Sequence, residues 1–244
     1  MSSDGIKRIC LWSGPRNIST ALMYSFAQRS DTKVFDEPLY AYYLQHTNAK
    51  EYHPGAEEIL AAMENDGQKV VEMMLRENEK PVLFFKHMTH HLLDLDRSFM
   101  SETVNVILTR NPFDMLPSFA KMIEKPTMQD VGYAQHVDLV KDLESRGIAS
   151  IIIDSEEIVK NPAMALAIFC EALEIPFEEK MLHWQAGGIP EDGIWAKDWY
   201  GSVHNSTGFM PYQKTETDFP ETLKPLLDAC LPHFHFLQKR ALKF

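Results

Sequence analysis

The chain has 244 residues, 45% of them hydrophobic, with a formal net charge of −11. A chain of that length buries roughly 70–75% of its unfolded surface without staples, so the three scattered cysteines, Cys10, Cys170 and Cys230, read as reduced core thiols rather than a disulfide or zinc framework. The acidic balance, with no lysine- or arginine-rich block, disfavours a nucleic-acid partner and means that any bound anion is held by a local, preorganised site.

The opening MSSDGIKR lacks the apolar core of a signal peptide. No apolar run approaches the roughly 20 residues of a membrane span, so a cytoplasmic protein with no membrane partner is expected. The first buried run is Ile9–Trp12, which turns at Gly14-Pro15 and enters a helix through Ser19 and Thr20. Val34–Phe35 is a weaker strand candidate, followed at once by Asp36-Glu37-Pro38 and the tyrosines Tyr40, Tyr42 and Tyr43. Val82–Phe85 is a clear strand, and FFKHMTHHLL after it brings Lys86 and a cluster of His87, His90 and His91, read as a helix start. Val104–Leu108 is the next strand, after which Phe113, Leu116, Ala120 and Ile123 recur at helical spacing. Val137, Val140 and Leu143 do the same before the stop Arg146-Gly147. Ile151–Ile153 is a further strand, and Leu166, Phe169, Cys170 and Leu173 form an apolar stripe after Asn161-Pro162 at the helix start. Residues 187–217 show no period but carry Trp195, Trp199 and Tyr200, and a long irregular stretch in a compact domain is usually functional. Strand alternating with helix predicts one α/β domain over residues 1–244, with a parallel sheet of about five strands flanked by helices.

Two segments carry chemistry. LWSGPRNISTALMYSFAQR joins a strand, a tight turn and a helix N-terminus, where unpaired backbone N–H groups and the helix dipole attract an anion. Ser19 and Thr20 add hydroxyl donors, and Arg16 can fork onto phosphate or sulfate oxygens. The plainer alternative is an ordinary strand-to-helix turn capped by Ser19. The loop lacks the Gly-Lys-Ser/Thr of a magnesium-dependent nucleotide triphosphatase. The second segment, VNVILTRNPFDMLPSFAKM, delivers Arg110 from a strand's carboxyl end, the edge where open α/β sheets bind ligands. Alone, such an arginine is more often a solvated cap.

Together the two segments resemble the sulfotransferases that use 3′-phosphoadenosine 5′-phosphosulfate (PAPS). Pro15-Arg16-Asn17-Ile18-Ser19-Thr20 is similar to that family's loop for the 5′-phosphosulfate, and Arg110 followed eight residues on by Ser118 has the spacing of its 3′-phosphate site. IIIDSEEIVKNPAMALAIFCEALEIPF repeats the family's strand, proline-started helix and terminal proline, so the resemblance covers about residues 6–177. Ile18 stands where the family has a loop glycine, and Ser155 where it often has an adenine-contacting tyrosine. The glycine-rich closing loop is missing, and HNSTGF, with Ser206, Thr207 and Gly208, is the candidate substitute; no C-terminal dimerisation motif is recognisable.

The resemblance implies a P-loop fold, PAPS as donor with adenosine 3′,5′-bisphosphate as product, no metal, and a small-molecule acceptor. It implies donor contacts from Gly14 through Thr20 and from Arg110, Ser118 and the substitute loop. Arg16 and Lys86, which lies 24 residues before Arg110 as the family lysine does, would stabilise charge. Either Glu37 or His87 would be the general base, with His90 and His91 in reserve. Two rivals share the scaffold: a P-loop kinase using ATP and magnesium, and a non-catalytic module that binds the 3′,5′-bisphosphate. The acceptor, O- or N-sulfation and the oligomeric state stay open.

Overall fold

The computed structural model describes residues 5–211 and 219–244. Five strands, β1 (Lys7–Ser13), β2 (Thr32–Asp36), β3 (Val82–Met88), β4 (Val104–Thr109) and β5 (Ser150–Asp154), form one sheet in the order β2-β3-β1-β4-β5. All four pairings are parallel. Both faces are covered, which is why the strands read as unbroken apolar runs. Ile9, Leu11, Phe84, Val106 and Leu108 turn to one core, and Cys10, Trp12, Leu83, Phe85 and Ile107 to the other. The chain order reverses beside β1, so the carboxyl ends of β1, β3 and β4 open a crevice at the topological switch point, where α/β sheets bind ligands.

Helices α1 (Ser19–Ala27) and α2 (Tyr40–His46) leave β1 and β2 on that edge. The weak strand candidate around Val34 is a full member of the sheet, paired to β3 from Thr32 to Asp36. The apolar stripe expected from Phe113 to Ile123 is corrected: the helix ends at Phe119 and buries Met115, Leu116 and Phe119, while Phe113 is exposed. A helix over Ser155–Lys160, too short to show a period, precedes the expected helix Pro162–Ala172. All three cysteines are free and buried. Among the described residues no helix is long and apolar enough to cross a membrane. Residues 187–211 hold two single-turn helices, Ala196–Trp199 and Gly201–His204, and fold back over the crevice. The rest of the irregular stretch, 212–217, lies outside the described residues.

Candidate active site

A cavity of about 460 Å³ occupies the crevice, lined at one end by residues 15–21, Arg110 and Ser118 and at the other by Glu37, Tyr40, Lys86, His91 and Trp195. Its size suits a small ligand, for which roughly 300–1,000 Å³ is usual.

The loop after β1 is held from behind. Asn17 is buried; its amide donates to the Leu108 carbonyl at 2.9 Å, and its oxygen accepts from Ser13 Oγ. Asn17 is therefore spent on fixing the loop to β4, although it borders the cavity. Gly14 does not line the cavity; a Cβ there would lie 2.7 Å from the Val131 carbonyl oxygen, so glycine is required by packing. Arg16 and Ile18 take left-handed backbone angles, φ 55° and 63°. Ile18 is the N-cap of α1 and gives it no side-chain cap, which leaves the first-turn N–H groups of Ser19, Thr20 and Ala21 for a ligand. Ser19 is thus the first helical residue and not the cap.

Two guanidinium groups meet this loop. Arg16 Nε donates to Ser118 Oγ at 3.1 Å and its terminal nitrogen faces the Trp199 carbonyl at 3.4 Å. Arg110 donates to the Arg16 carbonyl at 2.6 Å, and the Tyr133 hydroxyl fixes the Arg110 carbonyl. Burial, and then the neighbouring Arg110, pushes the Arg16 pKa down, so an anion placed beside the two guanidinium groups would relieve their repulsion. Ser155, Ser206 and Gly208 also reach the cavity, but Thr207 does not; it borders a separate small pocket, and its carbonyl accepts from Trp184 N.

At the other end lies a charged cluster that the sequence resolved only in part. Lys86 is fully buried, and its ammonium donates to Asp36 Oδ1 at 2.8 Å, to Glu37 Oε1 and to the Tyr200 hydroxyl at 2.6 Å. The Tyr200 hydroxyl donates to Asp36 at 2.8 Å and accepts from Trp195 Nε1 at 3.0 Å. One cation serves two carboxylates. Burial opposes the Lys86 charge, but Asp36 and Glu37 overcome it and its pKa is raised. Glu37 is pushed up as well, by burial first, against the pull of Lys86 and with the help of Asp36. A carboxylate that takes a proton readily, on a wall of the cavity, can act as a general base. Its left-handed backbone, φ 43°, is fixed by Glu37 N donating to the Lys86 carbonyl.

His87 is placed elsewhere. β3 continues three residues past the expected end at Phe85, through Lys86 and His87 to Met88, so successive side chains alternate faces, and His87 points away from Lys86 into the opposite core. There its ring stacks on Trp12 with centroids 4.4 Å apart, fully buried, and it does not line the cavity. Burial pushes its pKa down to about 3. His90 and His91 do line the cavity, from a single 3-10 turn, so His87 and His91 do not share a face. Among the described residues no three His, Cys, Asp or Glu converge as a metal site. Asp36 and Tyr200 were visible in the sequence only as a charged turn and a loop aromatic. His53 and Asp130, which complete the wall, carry no local signal at all.

A sequence profile described as a sulfotransferase domain matches residues 7–241. Two Arabidopsis thaliana proteins, branched-chain-amino-acid aminotransferase-like proteins 2 and 1, are 44% and 42% identical over 229 residues. The match takes in 93% of this chain but spans only about two-fifths of those relatives, 40% and 41%. Among solved structures, the sulfotransferase domain from the curacin biosynthetic pathway superposes with a TM-score of 0.57 at 15% identity, covering 93% of this chain and 98% of that one. A sulfotransferase from Alicyclobacillus acidocaldarius gives 0.55 at 14%, covering 97% of each. These two likenesses establish the fold, and the profile, running from β1 almost to the last residue, establishes more: the chain belongs to the sulfotransferase-domain family.

Proposed function

We propose that the protein transfers a sulfuryl group from PAPS to a hydroxyl or amine of a small acceptor. One observation carries the reading: a single cavity joins an anion-binding end, built from Arg16, Arg110, Ser118 and the first turn of α1, to a buried carboxylate, Glu37, primed to take a proton. In the reaction the acceptor oxygen or nitrogen forms a bond to sulfur while the bond from sulfur to the bridging oxygen breaks. The electron pair stays on the 5′-phosphate, whose growing charge is met by Arg16 and the loop N–H groups. The acceptor proton goes to Glu37. Lys86 is bound on three sides and serves chiefly to hold Glu37 and to place positive charge behind it.

Thermal unfolding with adenosine 3′,5′-bisphosphate, set against AMP, ADP and ATP with magnesium, tests the donor site. A ligand at a hundred times its dissociation constant adds about 2.7 kcal/mol, which for a domain of this size raises Tm by roughly 5–10 °C. The rise should be specific to the 3′,5′-bisphosphate and need no magnesium. Arg110→Ala should weaken it by about 1.5–3 kcal/mol, the value of a charge-assisted contact. A rise with ATP and magnesium alone would overturn the donor assignment in favour of a kinase.

A further inference from the structure

The half of the cavity around Glu37 has an aromatic wall made of Tyr40, His53, Trp195 and Trp199. The rings hold one another in place. Tyr40 meets Trp195 edge-on at 5.1 Å and stacks on His91 at 4.9 Å; His53 lies 6.2 Å from Trp199. The Tyr40 hydroxyl and His53 Nδ1, 2.7 Å apart, lock the two side chains together. Polar atoms are left over. His90 and His91 line the cavity, 7% and 1% exposed, and Nδ1 of each has no hydrogen-bond partner; nor has Trp199 Nε1.

The charge of this half is one-sided. Burial pushes His53 down to about 4 and His90 to about 3, so both rings are neutral at neutral pH. Among the described residues, the lysines and arginines on the cavity wall are Arg16, Lys86 and Arg110. The two arginines face the anion-binding loop, and Lys86 is committed to Asp36 and Glu37. Asp130 shares the aromatic half, 9% exposed. Its oxygens accept from the Tyr52 hydroxyl at 3.2 Å and from Thr127 N and Oγ1 at 2.7 Å, but no lysine, arginine or histidine of the described residues pairs with it. Counting Asp36 behind the wall with Glu37 and Asp130 on it, three carboxylates share the one ammonium of Lys86 in this half. A negative acceptor would be repelled, and a neutral one would leave Asp130 with its hydrogen bonds but no cation beside it. Aromatic faces beside a carboxylate are the usual surroundings of a bound ammonium group.

We propose that the acceptor is an alcohol bearing an ammonium group, with the cation held between Asp130 and the Tyr40, His53, Trp195 and Trp199 rings and the hydroxyl turned to Glu37. The role of the hydroxyl rests on the sulfotransfer reading; the binding of the cation does not.

The test is calorimetric titration of the full chain, with and without adenosine 3′,5′-bisphosphate. The probes are choline, ethanolamine and 3,3-dimethyl-1-butanol, the uncharged isostere of choline. At least one of the two cations should bind about tenfold or more tightly than the neutral alcohol. Choline ahead of ethanolamine assigns the larger share to the rings, and the reverse order assigns it to a hydrogen bond with the carboxylate. Asp130→Asn should bring the cation preference close to unity. Because Asp130 also caps its own turn, Trp199→Leu, which leaves that turn alone, should reduce the preference independently. Equal or better binding of the neutral alcohol, no binding of either cation, or a preference that survives both substitutions overturns the proposal. Cation preference without any response to the nucleotide would remove the donor assignment and leave this one standing. A nucleotide response without cation preference would do the opposite.

Discussion

Among the described residues five non-glycine residues have positive φ, and three of them, Arg16, Ile18 and Glu37, line the cavity. Left-handed backbone at residues other than glycine costs about 1–3 kcal/mol each and persists only where the surroundings impose it. Ile18 is the sharpest case, because a β-branched side chain fits that region worst. Its side chain still packs partly against the core, so replacing it loses contacts as well as strain. Comparing Ile18→Ala with Ile18→Gly removes the contact difference and isolates the backbone. At ordinary φ the glycine variant would be the weaker by about 0.5–1 kcal/mol. Here the order should invert, with Ile18→Gly more stable than Ile18→Ala by about 1 kcal/mol in urea denaturation. An alanine variant at least as stable as the glycine one would mean that the loop does not hold this conformation in solution.

Most strands were legible at the scale of elements because they carry an apolar run buried on both faces, as in Ile9–Trp12 and Val106–Leu108, whereas β2 offers only Val34 and Phe35. Their ends were less so. β3 runs through Lys86 and His87, two polar residues that no local rule places inside a sheet. Lys86 is buried because Asp36 and Glu37 arrive about 50 positions away in sequence and Tyr200 arrives 114 away. Reading the strand as ended at Phe85 hid the alternation that sends Lys86 to the cavity and His87 to the far core. The loop, Arg110 and Glu37 were legible as positions at strand ends on the same edge, but their roles, and Ser118 altogether, came only with the family resemblance; the partners that tune Glu37 were not legible. The irregular stretch owes its order to side chains: Gly193 N donates to Asp36 Oδ2 at 3.0 Å, while Tyr24 and His204 both reach Asp192 Oδ2. The strand ends also store titratable charge. Asp154, 4% exposed at the end of β5, caps the helix Ser155–Lys160 through Glu156 N at 3.0 Å, and burial raises its pKa to about 6. The native carboxyl therefore holds its proton more tightly than the unfolded one. That advantage is complete below the ordinary value near 4 and is lost as pH rises through about 6, an effect of about 3 kcal/mol. Asparagine keeps the capping oxygen and cannot ionise. Asp154→Asn should gain on the wild type by up to about 3 kcal/mol between pH 4 and pH 7 in denaturant titrations. A difference that stays flat over that range would show that Asp154 is not buried as a titrating acid.

For the molecule as a whole the larger pH effect runs the other way. His87, His90, His91 and His136 are all buried, from 0% to 7% exposed. Burial pushes His87 and His90 down to about 3 and His136 to about 4, and it carries His91 well below the ordinary imidazole value. An imidazole held neutral in the native state contributes stability that is present above the unfolded pKa near 6.5 and is lost as pH falls toward the native value. Each such histidine costs about 1.4 kcal/mol per pH unit in that window, and four together about 5. Glu37 and Asp154 oppose this, because both take up a proton more readily when folded. His53, held down at about 4, adds to the histidine side, and the balance leaves a net uptake of about three protons on unfolding, or roughly 4 kcal/mol per pH unit. A domain with an ordinary stability of about 5–15 kcal/mol cannot withstand that slope for long. Its denaturation midpoint should fall steeply from pH 6.5 to 5, and cooperative acid unfolding should set in above about pH 4, followed by tryptophan fluorescence. If the midpoint were the same at pH 5 as at pH 7, at least two of the four rings would have to be reached by water or protonated in the native state. The packing of His87 on Trp12 and of His91 on Tyr40, which fixes which histidines can serve the cavity, would then be wrong.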